Sequence, residues 1–208
     1  GDVVIAGGLA VRTGGAVPLI EGGNDIGVLA IARTGAIQVV DADDLTVGTI
    51  GATVGVVSGG NAVSLTAGGA TGDLIFDDLV NAGAGTGTFV AGRNVNSVQG
   101  AGVTDVRAAS ASIQAGTAVA GSIGVTGADA VETDVTGTLS LDSTAAAGGA
   151  ISVNNNDAAT LANLNVTLVT AAVDVSVTAN SAAGATVLVA GATRELSGAT
   201  GNSNLRLT

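Results

Sequence analysis

The segment GGNAVSLTAGG, residues 59–69, carries the pattern that decides the fold of this chain. Apolar and polar side chains alternate from Val63 to Ala67, and a glycine pair stands at each end. A period of two, bounded by turn-forming residues, indicates a short β-strand rather than a helix. The same kind of phrase returns along the chain, for example as GTGTFVAGRN at 85–94, AASASIQAGTA at 108–118 and VTGTLSLDSTA at 135–145.

The returns are spaced by 23–26 residues, which predicts one coil of β-strands for each return. In a parallel β-solenoid each strand bonds to its counterpart one rung away, about 4.8 Å along the axis. Two-residue hairpins marked by Asn-Gly or Asp-Gly are absent from the sequence, which disfavours an antiparallel meander. The residues expected to stack are Val40 on Leu65, Leu65 on Phe89, Phe89 on Ile113, Ile113 on Leu139, Leu141 on Val166 and Val166 on Val189.

The composition favours a long, thin core. Hydrophobic residues make up 47% of the 208 residues, but the aromatic residues are two Phe, beside 34 Gly and one Pro. A round core of this size normally needs large rings, whereas a core two or three side chains across does not. Phe76 and Phe89 are both expected to point inward. The high proportion of Gly, Val and Thr disfavours helices, and the high mean hydropathy disfavours disorder. We therefore expect an all-β solenoid of about 8–10 rungs, a rod on the order of 40–50 Å long.

The charge balance excludes some classes of partner. The chain has 17 acidic residues against six Arg and no Lys, for a formal net charge of −11. Such a surface repels phosphate backbones and anionic lipids, so binding of nucleic acid is not expected. Insertion into a membrane is not expected either, because the most apolar tract, 161–192, is interrupted by Asn and Asp. The absence of Cys removes disulfides and thiolate metal sites.

Residues 22–69 read GGNDIGVLAIARTGAIQVVDADDLTVGTIGATVGVVSGGNAVSLTAGG and resemble the repeats of large secreted exoproteins of the filamentous-haemagglutinin type. The segment AGTGTFVAGRNVN at 84–96 fits the same pattern. The resemblance is clearest over 22–100, and more degenerate repeats follow over 101–208. It implies a right-handed parallel β-helix, exported from a bacterium and displayed at the cell surface as a long fibre, with roles in adhesion or biofilm. We treat 1–208 as a single solenoid segment.

The sequence lacks most of the side chains that enzymes use in catalysis. His, Cys and Lys are absent, which removes the usual general bases and nucleophile partners. A carbohydrate-active β-helix enzyme would depend on carboxylate pairs, and a groove for sugars is hard to build without Trp or Tyr. It remains a remote alternative, and no catalytic residue or bound cofactor is predicted. The acidic residues that such an enzyme could use form three groups, at Asp41, Asp43 and Asp44, at Asp77 and Asp78, and at Asp129, Glu132 and Asp134.

Calcium is the one ligand for which the sequence offers candidate residues. Asp41 and Asp43 are expected to share one face of a strand, and Asp44 to join them through a corner. Hard oxygen ligands at short spacing are what Ca²⁺ requires. The default interpretation is nevertheless that these Asp residues are solvated turn residues, with calcium binding as the alternative.

Other polar residues receive structural interpretations. Arg33, Arg93 and Arg107 are expected to be rim partners of nearby Asp residues. Asn154, Asn155 and Asn156 are expected at a corner, where stacked amides can bond along the axis. A threonine face that binds ice was also considered, but TGT occurs only at 86–88 and 136–138.

The expectation for function is a non-catalytic shaft segment of an extracellular fibre or adhesin. No polar cap is evident at either end of the sequence, so the coil is expected to continue in a longer chain or to stack head to tail with copies of itself. The alternative is that one face of the coil binds a glycan or a protein of a host or neighbouring cell. An exposed aromatic residue or a long inserted loop would favour that alternative.

Overall fold

The computed structural model describes residues 1–12, 14–125, 129–143, 149–155, 161–168, 175–179, 181–190 and 203–207. These residues form β-strands and no helix. The first strands are β1 (Val4–Val11), β2 (Val17–Leu19), β3 (Asp25–Ala32), β4 (Ile37–Asp41), β5 (Leu45–Val47), β6 (Thr49–Ile50), β7 (Thr53–Val54), β8 (Val56–Val57), β9 (Val63–Ala67), β10 (Leu74–Phe76) and β11 (Val80–Asn81). The later strands are β12 (Thr86–Ala91), β13 (Val95–Ser97), β14 (Val106–Ala108), β15 (Ser110–Ala115), β16 (Val131–Val135), β17 (Thr138–Ser143), β18 (Ile151–Asn155), β19 (Leu161–Leu168), β20 (Val175–Ala179), β21 (Ser181–Ala190) and β22 (Ser203–Leu207).

Two large sheets enclose one core. Sheet B has 8 strands in the order β2-β4-β9-β12-β15-β17-β19-β21, and every neighbouring pair is parallel. Sheet A has 12 strands, parallel except where β22 pairs with β20. The prediction of an all-β parallel solenoid is therefore confirmed. The coil completes about six turns, fewer than the eight to ten expected. Its right-handed sense stays a prediction.

The coil changes from two sides to three as it rises. The first half of β3 pairs with β5 and the second half pairs with β8, so one strand is followed by two. The division continues through β10 with β11 and through β13 with β14. At β18 the two series of strands join again in one strand, because Ile151 bridges to Ile123 while Val153 pairs with Val131. The division introduces a new corner between β5 and β8, repeated between β10 and β11 and between β13 and β14. One of the two polar columns described below begins at this corner, and the other follows the corner between sheet B and sheet A.

The central column of sheet B tests the predicted register. Leu65 on Phe89, Phe89 on Ile113, Leu141 on Val166 and Val166 on Val189 are confirmed. Two expected pairs are wrong: Leu65 stacks on Val39 instead of Val40, and Ile113 stacks on Leu141 instead of Leu139. Val40 is half-buried and faces outward, since a shift of one residue reverses the side of the sheet. Leu139 stacks on Ala111, because the segment between β15 and β17 makes this turn longer than its neighbours.

A short hairpin, formed by β6 and β7, interrupts the coil between β5 and β8. Neither Asn-Gly nor Asp-Gly, the dipeptides typical of two-residue hairpin turns, marks it in the sequence. Its turn is Gly51-Ala52, with Gly51 at φ 60° and no positive φ at Ala52. This matches a type II′ turn, which takes glycine at its first central position. The backbone closes at the base of the hairpin, where Gly55 N donates to Gly48 O at 3.1 Å, and Ile31 N then bonds to Gly55 O at 2.8 Å.

The two aromatic residues fill the core from opposite sheets. Phe76 and Phe89 are fully buried, as predicted, and their rings meet edge to face with centroids 5.5 Å apart at 89°. Gly87 makes room for this pair. A Cβ on Gly87 would lie 2.6 Å from Cε2 of Phe89, so the ring occupies the space that a side chain in the neighbouring inward position would fill. The core is otherwise built of columns of Val, Leu, Ile and Ala.

Replacement of Phe89 should be among the most damaging changes to the core. We expect Phe89→Ala to lower the free energy of unfolding by about 3–5 kcal/mol, because it leaves a cavity and removes the ring contact. Val90→Ala is the matched control, since Val90 is the next residue of β12 and is not buried. Urea unfolding followed by circular dichroism measures both. Equal losses in the two variants would contradict the inward stacking of the rings.

Candidate functional site

A polar column follows the corner between sheet B and the strands β5, β10 and β13. Its members are Asp44, Asp73, Asn94 and Ser122. Each directly precedes a buried residue, and these buried residues stack in one column formed by Leu45, Leu74, Val95 and Ile123. In each step, a side-chain oxygen accepts the backbone N–H of the equivalent residue one turn away. Asp73 N donates to Asp44 Oδ1 at 2.8 Å, Asn94 N to Asp73 Oδ1 at 2.9 Å, and Ser122 N to Asn94 Oδ1 at 2.9 Å. The column therefore satisfies backbone donors at a corner where the sheet ladder is interrupted.

Asp73 is the centre of this corner column. Arg93 binds it through two bonds, Nε to Oδ1 at 2.8 Å and Nη2 to Oδ2 at 2.7 Å. The carboxyl group is buried, which by itself would raise its pKa. The bonds from Arg93 and from Asn94 outweigh that effect, so the pKa of Asp73 lies below its ordinary value. The predicted role of Arg93 as a partner of a nearby Asp is confirmed.

The three residues predicted to bind calcium do not converge. β4 ends at Asp41, which is buried, while Asp43 and Asp44 follow in the bend and are exposed. Asp41 and Asp43 therefore do not share one face of a strand, and that part of the prediction is wrong. Asp41 Oδ1 accepts Ile26 N at 2.8 Å and Oδ2 accepts Asp43 N at 3.4 Å. Within the described residues no three acidic side chains are placed to hold a metal ion.

A second polar column is formed by Asp105, Glu132 and Asn154; it begins at the corner before β14 and continues within β16 and β18. Asp105 is fully buried. Its Oδ1 accepts bonds from Ser97 Oγ at 2.9 Å and Gln99 Nε2 at 2.7 Å, and its Oδ2 accepts Glu132 N at 2.8 Å. Glu132 Oε1 in turn accepts Asn154 Nδ2 at 2.9 Å. Each carboxylate again faces donors of the adjacent turn.

Burial raises the pKa of Asp105 to about 6, although hydrogen bonds from Glu132, Ser97 and Gln99 oppose the shift. Burial also raises the pKa of Asp41 to about 6, against the hydrogen bond from Ile26. In both groups the desolvation of the charge is larger than the gain from the donors. These two carboxyl groups therefore titrate close to neutral pH, although both lie within the hydrogen-bonded frame of the coil.

The remaining acidic groups are dispersed. Asp78 Oδ2 accepts Thr49 Oγ1 at 2.6 Å, whereas Asp77 is exposed. Asp134 pairs with Arg107 through Nε at 2.6 Å, as predicted for that Arg. Asp129 is exposed and Glu132 is buried in the second polar column. Arg33, the third Arg predicted as a rim partner, is buried and forms no ion pair within the described residues, so that prediction is wrong.

Asn155 ends β18 and bonds along the axis, as predicted, but its partners are a hydroxyl group and the backbone of β16 rather than a stacked amide. Its Oδ1 accepts Val135 N and Thr133 Oγ1, both at 2.9 Å, and its Nδ2 donates to Val135 O at 3.0 Å. Asn154 lies beside it in β18 and contributes to the second polar column. Asn156, the third residue of the predicted cluster, lies outside the described residues.

The outer face of sheet B carries small polar side chains in register. One column consists of Gln38, Ser64, Thr88, Ser112, Ser140 and Asn165. A neighbouring column places Thr86, Ser110 and Thr138 one above another. The two TGT motifs therefore share only this last column: Thr138 follows Thr86 two turns on, while Thr136 precedes β17. The face presents hydroxyl and amide groups on a parallel lattice with strands about 4.8 Å apart.

Several structural polar residues were missed by the sequence analysis. Asn24 bridges neighbouring turns, since its Oδ1 accepts Val3 N at 2.8 Å while Nδ2 donates to Val40 O at 2.9 Å. Asp73, Asn94 and Asp105 were also not singled out. A signal was available, because an Asp or Asn precedes a branched aliphatic residue in DLTV at 44–47, DLIF at 73–76, NVNS at 94–97 and DVRA at 105–108. The shared pattern marks the residue that turns the corner into a strand.

The chain matches no protein-family model, no curated protein and no solved structure. The resemblance to filamentous-haemagglutinin-type repeats therefore stays a prediction that rests on the quoted residues. A search of the described residues for a helix long and apolar enough to span a membrane finds none.

The corner column should contribute measurably to stability. We expect Asn94→Ala to lower the free energy of unfolding by about 1–3 kcal/mol, because the N–H of Ser122 loses its acceptor. Asn96→Ala is the matched control, since Asn96 lies two residues away in β13 and is not buried; a change within about 0.5 kcal/mol is expected. Urea unfolding compares the two variants, and a loss no larger for Asn94 than for Asn96 would contradict the proposed role of the column.

The raised pKa of Asp105 predicts a specific pH dependence. Its stability contribution is complete below the ordinary value of 3.8 and is lost as the pH rises through about 6, because the folded state then holds a desolvated charge. Asp41 and Asp142 act in the same direction. The free energy of unfolding should therefore fall across this window, and Asp105→Asn should reduce that slope without abolishing it.

Asp73→Asn provides the control of opposite sign. The pKa of Asp73 is lowered, so its contribution is present above 3.8 and is lost only as the pH falls further. The variant should be less stable than the wild type by a constant amount between pH 4 and 7. Urea titrations at a series of pH values measure these slopes. An Asp105→Asn curve parallel to the wild type would show that Asp105 does not titrate in this range.

Proposed function

We propose that this chain is a non-catalytic shaft segment of an extracellular bacterial fibre or adhesin. The observation that carries the proposal is the uniform filling of the coil along its axis. The interior is filled by aliphatic columns and one pair of Phe rings, from the turn that contains Val17 to the turn that contains Val166. The buried polar groups of the two corner columns bond to adjacent turns. Side chains that bond to adjacent turns in this way stabilise a straight and rigid rod.

The edges of the coil support a role in assembly. Within the described residues, β1 and β2 at the first turn each have a strand partner on one side only. An open edge of parallel strands is a template for further pairing. At the other end β22 runs antiparallel along β20, so sheet A is covered there, while β21 ends sheet B. Stacking of another turn, from the same chain or from a copy, is therefore favoured at the first turn.

The second candidate is a binding face, and the outer surface of sheet B favours it. Its column of Ser64, Thr88 and Ser112 offers regularly spaced hydroxyl groups without charge. Such a lattice suits the hydroxyl groups of a glycan better than a nucleic acid or an anionic lipid. No exposed aromatic residue accompanies it in the described residues, since both Phe residues are buried. The shaft therefore remains the first proposal.

Immunogold electron microscopy of intact cells of the source bacterium tests the shaft proposal. Antibodies raised against purified residues 1–208 should label extended structures outside the cell, and protease added to intact cells should remove the label. An antibody against a cytoplasmic protein of the same cells is the control and should detect its target only after lysis. Label confined to the cell interior would overturn the proposal.

Purified protein then separates the two candidates. A shaft should show no saturable binding to immobilised cell-surface polysaccharides. The variant Thr88→Val with Ser112→Val removes two hydroxyl groups from the outer face and keeps the strand-forming shape of the side chains. Binding by the wild type that is lost in this variant would overturn the shaft proposal in favour of the binding face. Binding by neither protein supports the shaft proposal.

A further inference from the structure

The chain contains one proline, Pro18, and it lies at the centre of β2. β2 is the edge strand of sheet B, since within the described residues it pairs with β4 alone. Pro18 is exposed, whereas Val17 and Leu19 on either side of it pack against the core. Proline has no backbone N–H, so the direction in which that N–H would point decides what its absence means.

The missing donor faces the open edge of the sheet. Val17 N donates to Ala36 O at 3.0 Å, which directs the backbone groups of Val17 toward β4. Successive residues of a strand direct their N–H and C=O groups to opposite sides, so those of Pro18 point away from β4. Pro18 therefore leaves the pairing of β2 with β4 intact and removes the donor at the centre of the outer edge.

The column to which Pro18 belongs shows what this donor does in the later turns. Pro18 is in register with Gln38, and above Gln38 the column continues through Ser64, Thr88, Ser112, Ser140 and Asn165. Ile37 N donates to Ala62 O in the following turn, so the N–H of Gln38 points back toward β2 in the preceding turn. A proline in place of Gln38 would break that bond. The one proline of the chain thus stands at the first strand of sheet B, which has no preceding partner in the described structure.

β1, the edge strand of sheet A in the same turn, keeps its donor. Asp25 N donates to Val3 O at 2.9 Å, so the backbone groups of Val3 face β3 and those of Val4 face the open edge. Val4 is 69% exposed. Val4 on sheet A therefore corresponds to Pro18 on sheet B, and the two sheets differ at the first turn. Sheet A presents both a donor and an acceptor at this position, and sheet B presents an acceptor alone.

The loss at β2 affects the whole of that short edge. β2 has three residues, and Pro18 is the one whose backbone groups face outward. Proline on an edge strand is one of the devices that prevent a sheet from pairing with another chain. β1 is longer, with eight residues, and has no proline.

We propose that Pro18 closes the edge of sheet B to strand pairing, so that a second copy stacked on the first turn is bound through β1 and not through β2. The inference rests on the assembly role proposed above, and it adds which of the two open edges carries the contact. Because one sheet takes part instead of two, we expect this contact to be weaker than the pairing between turns within the coil.

Sedimentation velocity of purified residues 1–208 at pH 7, over a range of protein concentrations, measures the association. Pro18→Val supplies the missing N–H, and we expect its association constant to exceed that of the wild type by about 2- to 10-fold, the contribution of one hydrogen bond. Gln38→Val is the matched control, because it adds the same side chain to an exposed position of the same column but creates no free donor. It should associate like the wild type.

Val4→Pro is the converse variant. It removes a donor from the open edge of β1 and should weaken the association of the wild type by about the same factor. Association of Val4→Pro that equals that of the wild type would show that β1 does not carry the contact. A wild type that stays monomeric at all concentrations would overturn the contact through β1 as well.

Hydrogen exchange gives a direct readout of the edge itself. In Pro18→Val the new N–H at position 18 should exchange freely in dilute solution and become protected at concentrations where the protein associates. Circular dichroism checks that the variants fold, and Pro18→Gln, which repeats the residue of the next turn, replaces Pro18→Val if that variant does not.

Equal association of Pro18→Val and Gln38→Val, or an N–H at position 18 that stays unprotected in the associated protein, would overturn the closing role of Pro18. Neither result bears on the shaft proposal, which the labelling of intact cells decides separately.

Discussion

The hydrogen-bonded register between successive turns is the constraint on which the rest of this structure depends. Because neighbouring strands are parallel and about 4.8 Å apart, each residue stands directly over its equivalent one turn away. Apolar residues gain from this arrangement, since buried residues such as Leu65, Phe89 and Ile113 stack on one another in columns. Polar and charged residues are limited by it, since whatever stands in one turn faces the same position in the next.

In that register, acidic residues at equivalent positions of neighbouring turns would repel one another. Two carboxylates stacked at about 4 Å would repel each other by about 1 kcal/mol in water and by several times more near a protein surface. The corner columns reduce this repulsion by placing an N–H over a carboxylate of the adjacent turn. Asp44 faces the backbone N–H of Asp73, Asp73 faces that of Asn94, and Arg93 neutralises the charge between them. Replacement of the acid by Asn94 and then by Ser122 ends the run of charges.

The sequence analysis succeeded where a residue's role follows from this repetition. The stacking of Leu65, Phe89 and Ile113 is visible as a spacing, because these turns have equal lengths. It failed where the length of a turn changes. The long segment between β15 and β17 moves Leu141 into the position expected for Leu139, and a glycine-initiated hairpin is inserted before β8. Both are local insertions, and the length of an insertion cannot be predicted from a repeat of about 24 residues.

For the candidate site residues, the property that the sequence failed to predict is the direction of the side chain at the end of a strand. Asp41 and Asp43 differ by two positions, which on a continuous strand would place them on one face, but β4 ends at Asp41 and the bend turns Asp43 outward. Arg33 deviates in the opposite sense, since it continues the inward alternation of β3 beyond the end of the strand and carries a charge into the frame. The buried carboxylates of both corner columns face donors that belong to the frame itself. Arg33 is therefore a residue whose presence the stacking of aliphatic columns does not explain, because two of its nitrogen atoms are buried without a hydrogen-bond partner.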